Sequence, residues 1–155
     1  MPDVAPPSLP LPQLYHLGGH LGVVHRRIQR AEEARLAHHR VSPAQARLIR
    51  TLARLGRPLQ MSELAAALDI VPRSVTSVVD ELEPMGLVVR QRGDGDGRQV
   101  FVSLTDDGHA TVAELVDLHG ASVAAVLGDL APHEIAMLAD LLGNVAHGPD
   151  HGSMR

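Results

Sequence analysis

The apolar residues of this chain keep a helical period from Leu14 to Leu82, switch to a strand period between Leu87 and Leu104, and return to a helical period after Thr105. That double switch constrains the fold more than any other feature. A stripe repeating every 3.6 residues buries one side of a helix, a β-rich run buries one face of a strand, and neither pattern serves the other. The chain must therefore set a small β element between two helical regions.

The helical periods divide into segments with their own start and stop signals. Leu14, Leu17, Leu21, Val24 and Ile28 alternate spacings of three and four, the seam of a helix packed lengthwise on another, expected to run from about Gln13 to about His39. Ser42-Pro43-Ala44-Gln45 opens a second helix, with Ser as N-cap, Pro at the first helical position and Gln placed to close a capping box. Its apolar face is Leu48, Ile49, Leu52 and Leu55, and Gly56 marks its end. Met61 to Leu68 forms a short third helix, and after Asp69 to Pro72 a fourth carries Val75, Val78, Val79 and Leu82 inward. Leu87 to Arg92 and Gln99 to Leu104 are the two arms of a hairpin around the glycine-rich tip Gly93 to Arg98. Thr105-Asp106-Asp107 caps a long fifth helix with an apolar stripe from Val112 to Leu130, and Pro132 opens a sixth.

The expected class is mostly α with a small β-hairpin wing, a winged helix-turn-helix flanked by N- and C-terminal dimerisation helices. Residues 1–12, with five prolines, read as a flexible arm, 13–40 and 105–147 as the helical dimerisation region, 42–104 as the winged lobe and 148–155 as a disordered tail. Dimerisation follows from the first, fifth and sixth helices, whose long stripes a lobe of some 60 residues cannot cover alone.

Composition narrows the function. With 155 residues, 45% of them apolar and 21% charged, the chain can bury a sizeable core as one soluble domain. It shows no apolar run near the roughly 20 residues a bilayer requires and no secretory leader, so a cytoplasmic protein without membrane contact is expected. The absence of cysteine removes thiol chemistry and cysteine zinc sites. No phosphate loop, nucleophile elbow or zinc-hydrolase motif occurs, so neither an enzyme nor a cofactor is expected. With one Tyr, one Phe and no Trp, base stacking on aromatic platforms is nearly excluded, which leaves duplex DNA open.

The net charge of −4 hides an asymmetry: residues 1–60 hold nine arginines against three acids, and the remainder five arginines against fifteen acids. In a helix-turn-helix the second helix enters the major groove. Here the outer face of the fourth helix is Arg73, Ser74, Thr76, Ser77, Asp80 and Glu81, with one arginine and short hydroxyls in its first turns. Such a surface approaches base edges and phosphates closely, whereas its acidic end belongs away from the backbone.

Several strings, in this order and spacing, carry a resemblance. They are Ser42-Pro43-Ala44-Gln45-Ala46, Ser62-Glu63-Leu64-Ala65, Ser74 to Glu83 followed by Met85-Gly86-Leu87-Val88, the wing residues Asp94 to Arg98, and Val102 to Gly108. Together, over about Leu14 to Val145, the chain resembles the MarR type of bacterial transcription regulators. The resemblance implies a dimer built by the first and last two helices, a fourth helix that reads the major groove, and a wing arginine in the minor groove steadied by an aspartate. Those two residues correspond to Arg98 and Asp96. It also implies a small aromatic or phenolic effector between the dimer helices and the DNA-binding lobe. The chain departs from the pattern at Val71, where relatives commonly place a Ser or Thr cap before the recognition helix, and in a wing poorer in arginine.

Arg47, Arg50, Arg54 and Arg57 form a basic stripe opposite the apolar face of the second helix. It reads either as a solvated face or, at Arg47 first, as a phosphate contact. Arg26, Arg27 and Arg30 are expected to pair with the acidic second half within or between subunits. His119, on the apolar stripe of the fifth helix, reads as a satisfied buried or dimer-interface histidine. His16 and His20 sit at the i, i+4 spacing of a helical metal pair, but no metal site is expected, because zinc needs three or four converging ligands.

The resulting expectation is a homodimeric, sequence-specific transcription regulator, a repressor of a nearby promoter. It would bind a pseudo-palindromic operator with half-site centres about 10 bp apart. Its DNA-binding residues would be Arg47, Arg73, Ser74, Thr76, Ser77, Asp96 and Arg98, and a small-molecule effector would release it. The alternatives are a winged-helix protein-interaction module that no longer binds DNA, favoured by the acids around the fourth helix, and a metal-responsive regulator using the histidine-rich first helix.

Overall fold

A computed structural model describes residues 10–93 and 99–147; the calls on the arm before Pro10, on the tail from Gly148 and on the wing-tip residues Asp96 and Arg98 lie outside the described residues. The chain runs α1 (Leu11–Leu36), α2 (Pro43–Leu55), β1 (Leu59–Gln60), α3 (Met61–Leu68), α4 (Pro72–Leu82), β2 (Val88–Arg92), β3 (Val100–Leu104), α5 (Asp106–Leu127) and α6 (Pro132–His147).

Most of these bounds follow the local signals. The Ser42 hydroxyl accepts from the Gln45 N–H, the Gln45 side chain accepts from the Ser42 N–H at 2.8 Å, and Gly56 ends α2 in the left-handed region at φ 63°. Three bounds differ from expectation. Helix α1 begins at Leu11, so the last residues expected in the arm are helical, because a proline in the first turn loses only an N–H that has no intrahelical partner. The same helix ends at Leu36, and His38 and His39 lie in the following turn. Helix α5 stops at Leu127, leaving Leu130 outside the helix that its stripe was expected to include.

The sheet has three strands in the order β1-β3-β2, both pairings antiparallel. Val88 opposes Leu104 and Arg92 opposes Val100, the register of the expected hairpin. Two-residue β1, with Leu59 opposite Val102, was not foreseen, since two residues are too few to show a strand period.

The core lies inside the winged lobe. Leu48, Ile49, Leu64, Val75, Val79, Leu82, Leu87 and Val102 are fully buried, and α5 reaches this core through Leu115. The lobe is joined to α5 by close backbone packing. Thr105 Oγ1 donates to the Gly86 carbonyl at 2.6 Å and the Thr105 N–H donates to the Leu87 carbonyl. A Cβ on Gly108 would stand 2.1 Å from the Leu87 carbonyl oxygen, so only glycine allows this approach.

Helix α5 packs along α1, with Ser122 buried and its hydroxyl bonded to the Leu118 carbonyl at 2.8 Å. By length and composition alone α5 is long and apolar enough to cross a membrane, although Glu114, Asp117 and His119 interrupt its apolar run. Its contacts with α1, α2 and β3 are those of a scaffold helix.

Candidate DNA-binding surface

Helix α4 sorts its residues by face. Val75, Val79 and Leu82 are fully buried, whereas Arg73, Ser74, Thr76, Ser77 and Asp80 are exposed. The structure thus brings Arg73, Ser74, Thr76 and Ser77 together on one open edge, on a helix whose opposite side is locked in the core.

The hydroxyls on that edge have defined roles. Thr76 Oγ1 donates to the Pro72 carbonyl at 3.2 Å and Ser77 Oγ donates to the Arg73 carbonyl at 3.3 Å, each one turn back along the helix. A hydroxyl that has given its proton to the backbone presents lone pairs outward. In this state the two side chains are acceptors, suited to the adenine N6 and cytosine N4 amino groups, while Arg73 supplies donors for guanine or phosphate.

The acidic end of the helix does not stand unneutralised. Arg90, on β2, donates to Asp80 at 2.5 Å through one guanidinium nitrogen and to Glu83 at 2.8 Å through another. Its backbone N–H also points at Glu83, at 3.3 Å. Burial lowers the tendency of this guanidinium to hold its proton, but the hydrogen bonds of Asp80 and Glu83 outweigh burial and its pKa is raised above the ordinary value. Arg90 therefore ties the base of the wing to α4 and offsets one of the two carboxylate charges it bridges.

The turn between α3 and α4 is held from both sides. Asp69 adopts φ 51°, its N–H donates to the Ala66 carbonyl, and the Ile70 N–H donates to the Ala65 carbonyl at 3.1 Å. Arg47 reaches across from α2 and donates to the Leu68 carbonyl at 2.6 Å, supplying a cation to the C-terminus of α3. One nitrogen of the expected phosphate contact is thus already engaged within the fold, a pairing no local signal in the sequence announces.

Arg50, on the same basic stripe, is paired within the fold rather than solvated or left for a phosphate. It donates to Glu32 Oε1 at 2.6 Å, and Nδ1 of His119 lies 3.1 Å from the other carboxylate oxygen. Glu32 is buried, so this triad joins α1, α2 and α5 through a carboxylate largely removed from water. His119 is half-exposed, with its ring on Glu32. Among the described residues no ion pair within the chain engages Arg26, Arg27 or Arg30, which leaves pairing between subunits as the open half of that expectation, and Arg57 pairs with Glu63 at 2.7 Å. No three His, Asp or Glu side chains converge among the described residues.

Beside the triad, between α1, α2 and α5, lies a cavity of about 550 Å³ lined by His25, Ile28, Arg47, Arg50, His119 and Val123. A second cleft of about 570 Å³ shares Arg47, Arg50 and His119 with it and is also walled by Arg54, Val112 and Val116. Both combine apolar walls with guanidinium and imidazole groups.

The profile of the MarR family matches residues 39–99, which hold α2 to β2. The transcriptional regulator PecS of Dickeya dadantii (strain 3937) is 32% identical over 129 residues, covering 82% of this chain and 78% of that protein. The transcriptional repressor MdtR of Bacillus subtilis (strain 168) is 30% identical over 110 residues, 71% of this chain and 70% of that protein. Among solved structures, a MarR variant from E. coli in complex with operator DNA shares the fold with a TM-score of 0.71 at 25% identity, covering 86% of this chain and 95% of that one.

Proposed function

The chain belongs to the MarR family of DNA-binding transcription regulators, and on that premise we propose that it acts in the cytoplasm as a homodimeric repressor on a pseudo-palindromic operator. One observation carries this reading: Arg73, Ser74, Thr76 and Ser77 stand on the open edge of a helix whose other side is fully buried in the lobe. That edge enters the major groove. The wing residue Arg98, steadied by Asp96, reaches the adjoining minor groove, and the free N–H groups of Arg47 meet a phosphate. The likeness to a MarR protein solved on operator DNA supports this docking, and the repressor MdtR supports the sign of regulation.

Dimerisation is supported by apolar surface that a single chain leaves open. Leu11 and Tyr15 on α1 and Met137, Leu141 and Val145 on α6 are all more than half exposed. Their burial in a two-fold interface sets the distance between the two α4 helices.

Release by a small effector is supported by the cavity between α1, α2 and α5. Its mix of apolar walls with Arg47, Arg50 and His119 suits a small aromatic acid or phenol. Such a ligand lowers DNA affinity if it binds the DNA-free spacing of the lobes more tightly than the DNA-bound one.

Fluorescence anisotropy with the chain's own upstream DNA and an unrelated duplex, at two salt concentrations, tests the reading. A preference for the upstream duplex and a steep salt slope are expected, with Arg98→Ala losing about 1–3 kcal/mol. No binding to either duplex at low salt, before and after refolding to remove bound ligand, would replace this reading with the protein-interaction module.

A further inference from the structure

Large apolar side chains of the winged lobe are buried or half-buried with two exceptions, Leu55 at 39% exposed and, far more open, Val71. It is 64% exposed, whereas its neighbour Ile70 packs against the core. The backbone explains the contrast. Val71 is extended at φ −69°, ψ 145°, so the chain alternates inward and outward across Ile70 and Val71 before α4 begins.

Val71 occupies the N-cap of α4, and no side-chain hydrogen bond caps this helix. A Ser, Thr, Asp or Asn here would satisfy an amide N–H that valine leaves to solvent. The position thus forgoes local stabilisation and presents an isopropyl group to water. It does so rigidly. The Val71 carbonyl accepts from the Ser74 N–H at 3.0 Å, the preceding turn is bonded back to Ala65 and Ala66, and Arg47 holds the end of α3. A β-branched side chain on such a support has little rotamer freedom left to lose on contact.

We propose that Val71 is a specificity-determining residue that reads the 5-methyl group of a thymine in the operator's major groove. The inference rests on the DNA-binding reading above and extends it. Val71 stands at the leading end of α4, in sequence with Arg73, Ser74, Thr76 and Ser77, which share the open edge. Residues at this end of a recognition helix reach base edges. An isopropyl group neither donates nor accepts a hydrogen bond. Among the groups that distinguish base pairs in the major groove, the one with matching chemistry is the thymine methyl. The contact complements the polar edge, where the oxygens of Thr76 and Ser77 face outward as acceptors and Arg73 and the Ser74 hydroxyl can donate.

The test uses the full chain. Its preferred duplex is first enriched from random DNA, and each thymine is then replaced by uracil, which lacks only the 5-methyl group. A symmetric pair of thymines is expected at which uracil weakens wild-type binding about four-fold per half-site, the value for burying one methyl group. Val71→Ala, at an exposed position that leaves the core untouched, should bind the thymine duplex with that same loss and no longer distinguish uracil from thymine. An operator with no uracil-sensitive thymine would overturn the proposal, as would a uracil penalty that persists in Val71→Ala. Failure to enrich any sequence would overturn the DNA reading itself and the thymine contact with it.

Discussion

Replacing Arg50 by methionine tests whether the Glu32 carboxylate is held by its charge partners. The Arg50 side chain is 15% exposed and that of Glu32 9%, so Arg50→Met strands a carboxylate with little access to water. Breaking a buried pair by removing one partner costs about 3–5 kcal/mol. His119 stays within 3.1 Å of the other oxygen and Arg50 is not wholly dry, which places this case near the lower end. A loss of about 3 kcal/mol corresponds to roughly 6–12 °C in Tm for a chain of this size. Glu32→Gln should cost less, about 2 kcal/mol, because the amide oxygen still accepts from Arg50, which also keeps the Leu115 carbonyl at 3.4 Å. The double variant should lie within about 1–2 kcal/mol of wild type, since neither charge is then left without its partner. Thermal and urea unfolding would be followed at one protein concentration, so that the proposed dimerisation contributes equally to each variant. Strictly additive losses, or an Arg50→Met loss below about 1 kcal/mol, would refute the argument that burial makes this pair costly to break.

Other perturbations probe the link between scaffold and reading edge. Arg47→Met should weaken operator binding and lower the salt slope by about one charge per protomer, read from anisotropy titrations; weaker binding on an unchanged slope would confine Arg47 to holding α3. Gly108→Ala should destabilise the fold by about 3 kcal/mol in urea unfolding, because the new Cβ meets a backbone carbonyl that cannot turn aside. Arg90→Ala should cost only about 1 kcal/mol of stability, its pairs being partly exposed, but should weaken DNA binding most at low salt, where Asp80 and Glu83 are least screened. Thr76→Ala and Ser77→Ala should shift base preference, and selection experiments returning the wild-type motif would move the reading face elsewhere.

Much of this molecule is written locally. The capping box at Ser42, the stop at Gly56, the stripe of Val75, Val79 and Leu82, and the β-rich runs on either side of the wing each act within a few residues of where they are read. Because the inner face of α4 was legible, so was its outer face, and Arg73, Ser74, Thr76 and Ser77 could be named as a group. Helix ends are less legible: the prolines of residues 1–12 suggest a flexible arm although Pro12 sits harmlessly in a first turn, and the two residues of β1 carry no period at all.

From the sequence alone come the order and the sidedness of the six helices and the two hairpin strands, but not β1, since periodicity, caps and turn residues are short-range properties. Only the tertiary structure decided which charges face each other. Glu32 meets Arg50 18 residues away and His119 87 residues away, and Arg47 meets a carbonyl 21 residues on. An ion pair or a side chain bonded to a distant carbonyl leaves no pattern along the chain, because its geometry exists only once helices far apart in sequence have packed. The same holds for Val71. Its exposure follows from Ile70 turning into a core built largely by other helices, and that outward turn puts an apolar group at the leading end of the edge proposed to read DNA.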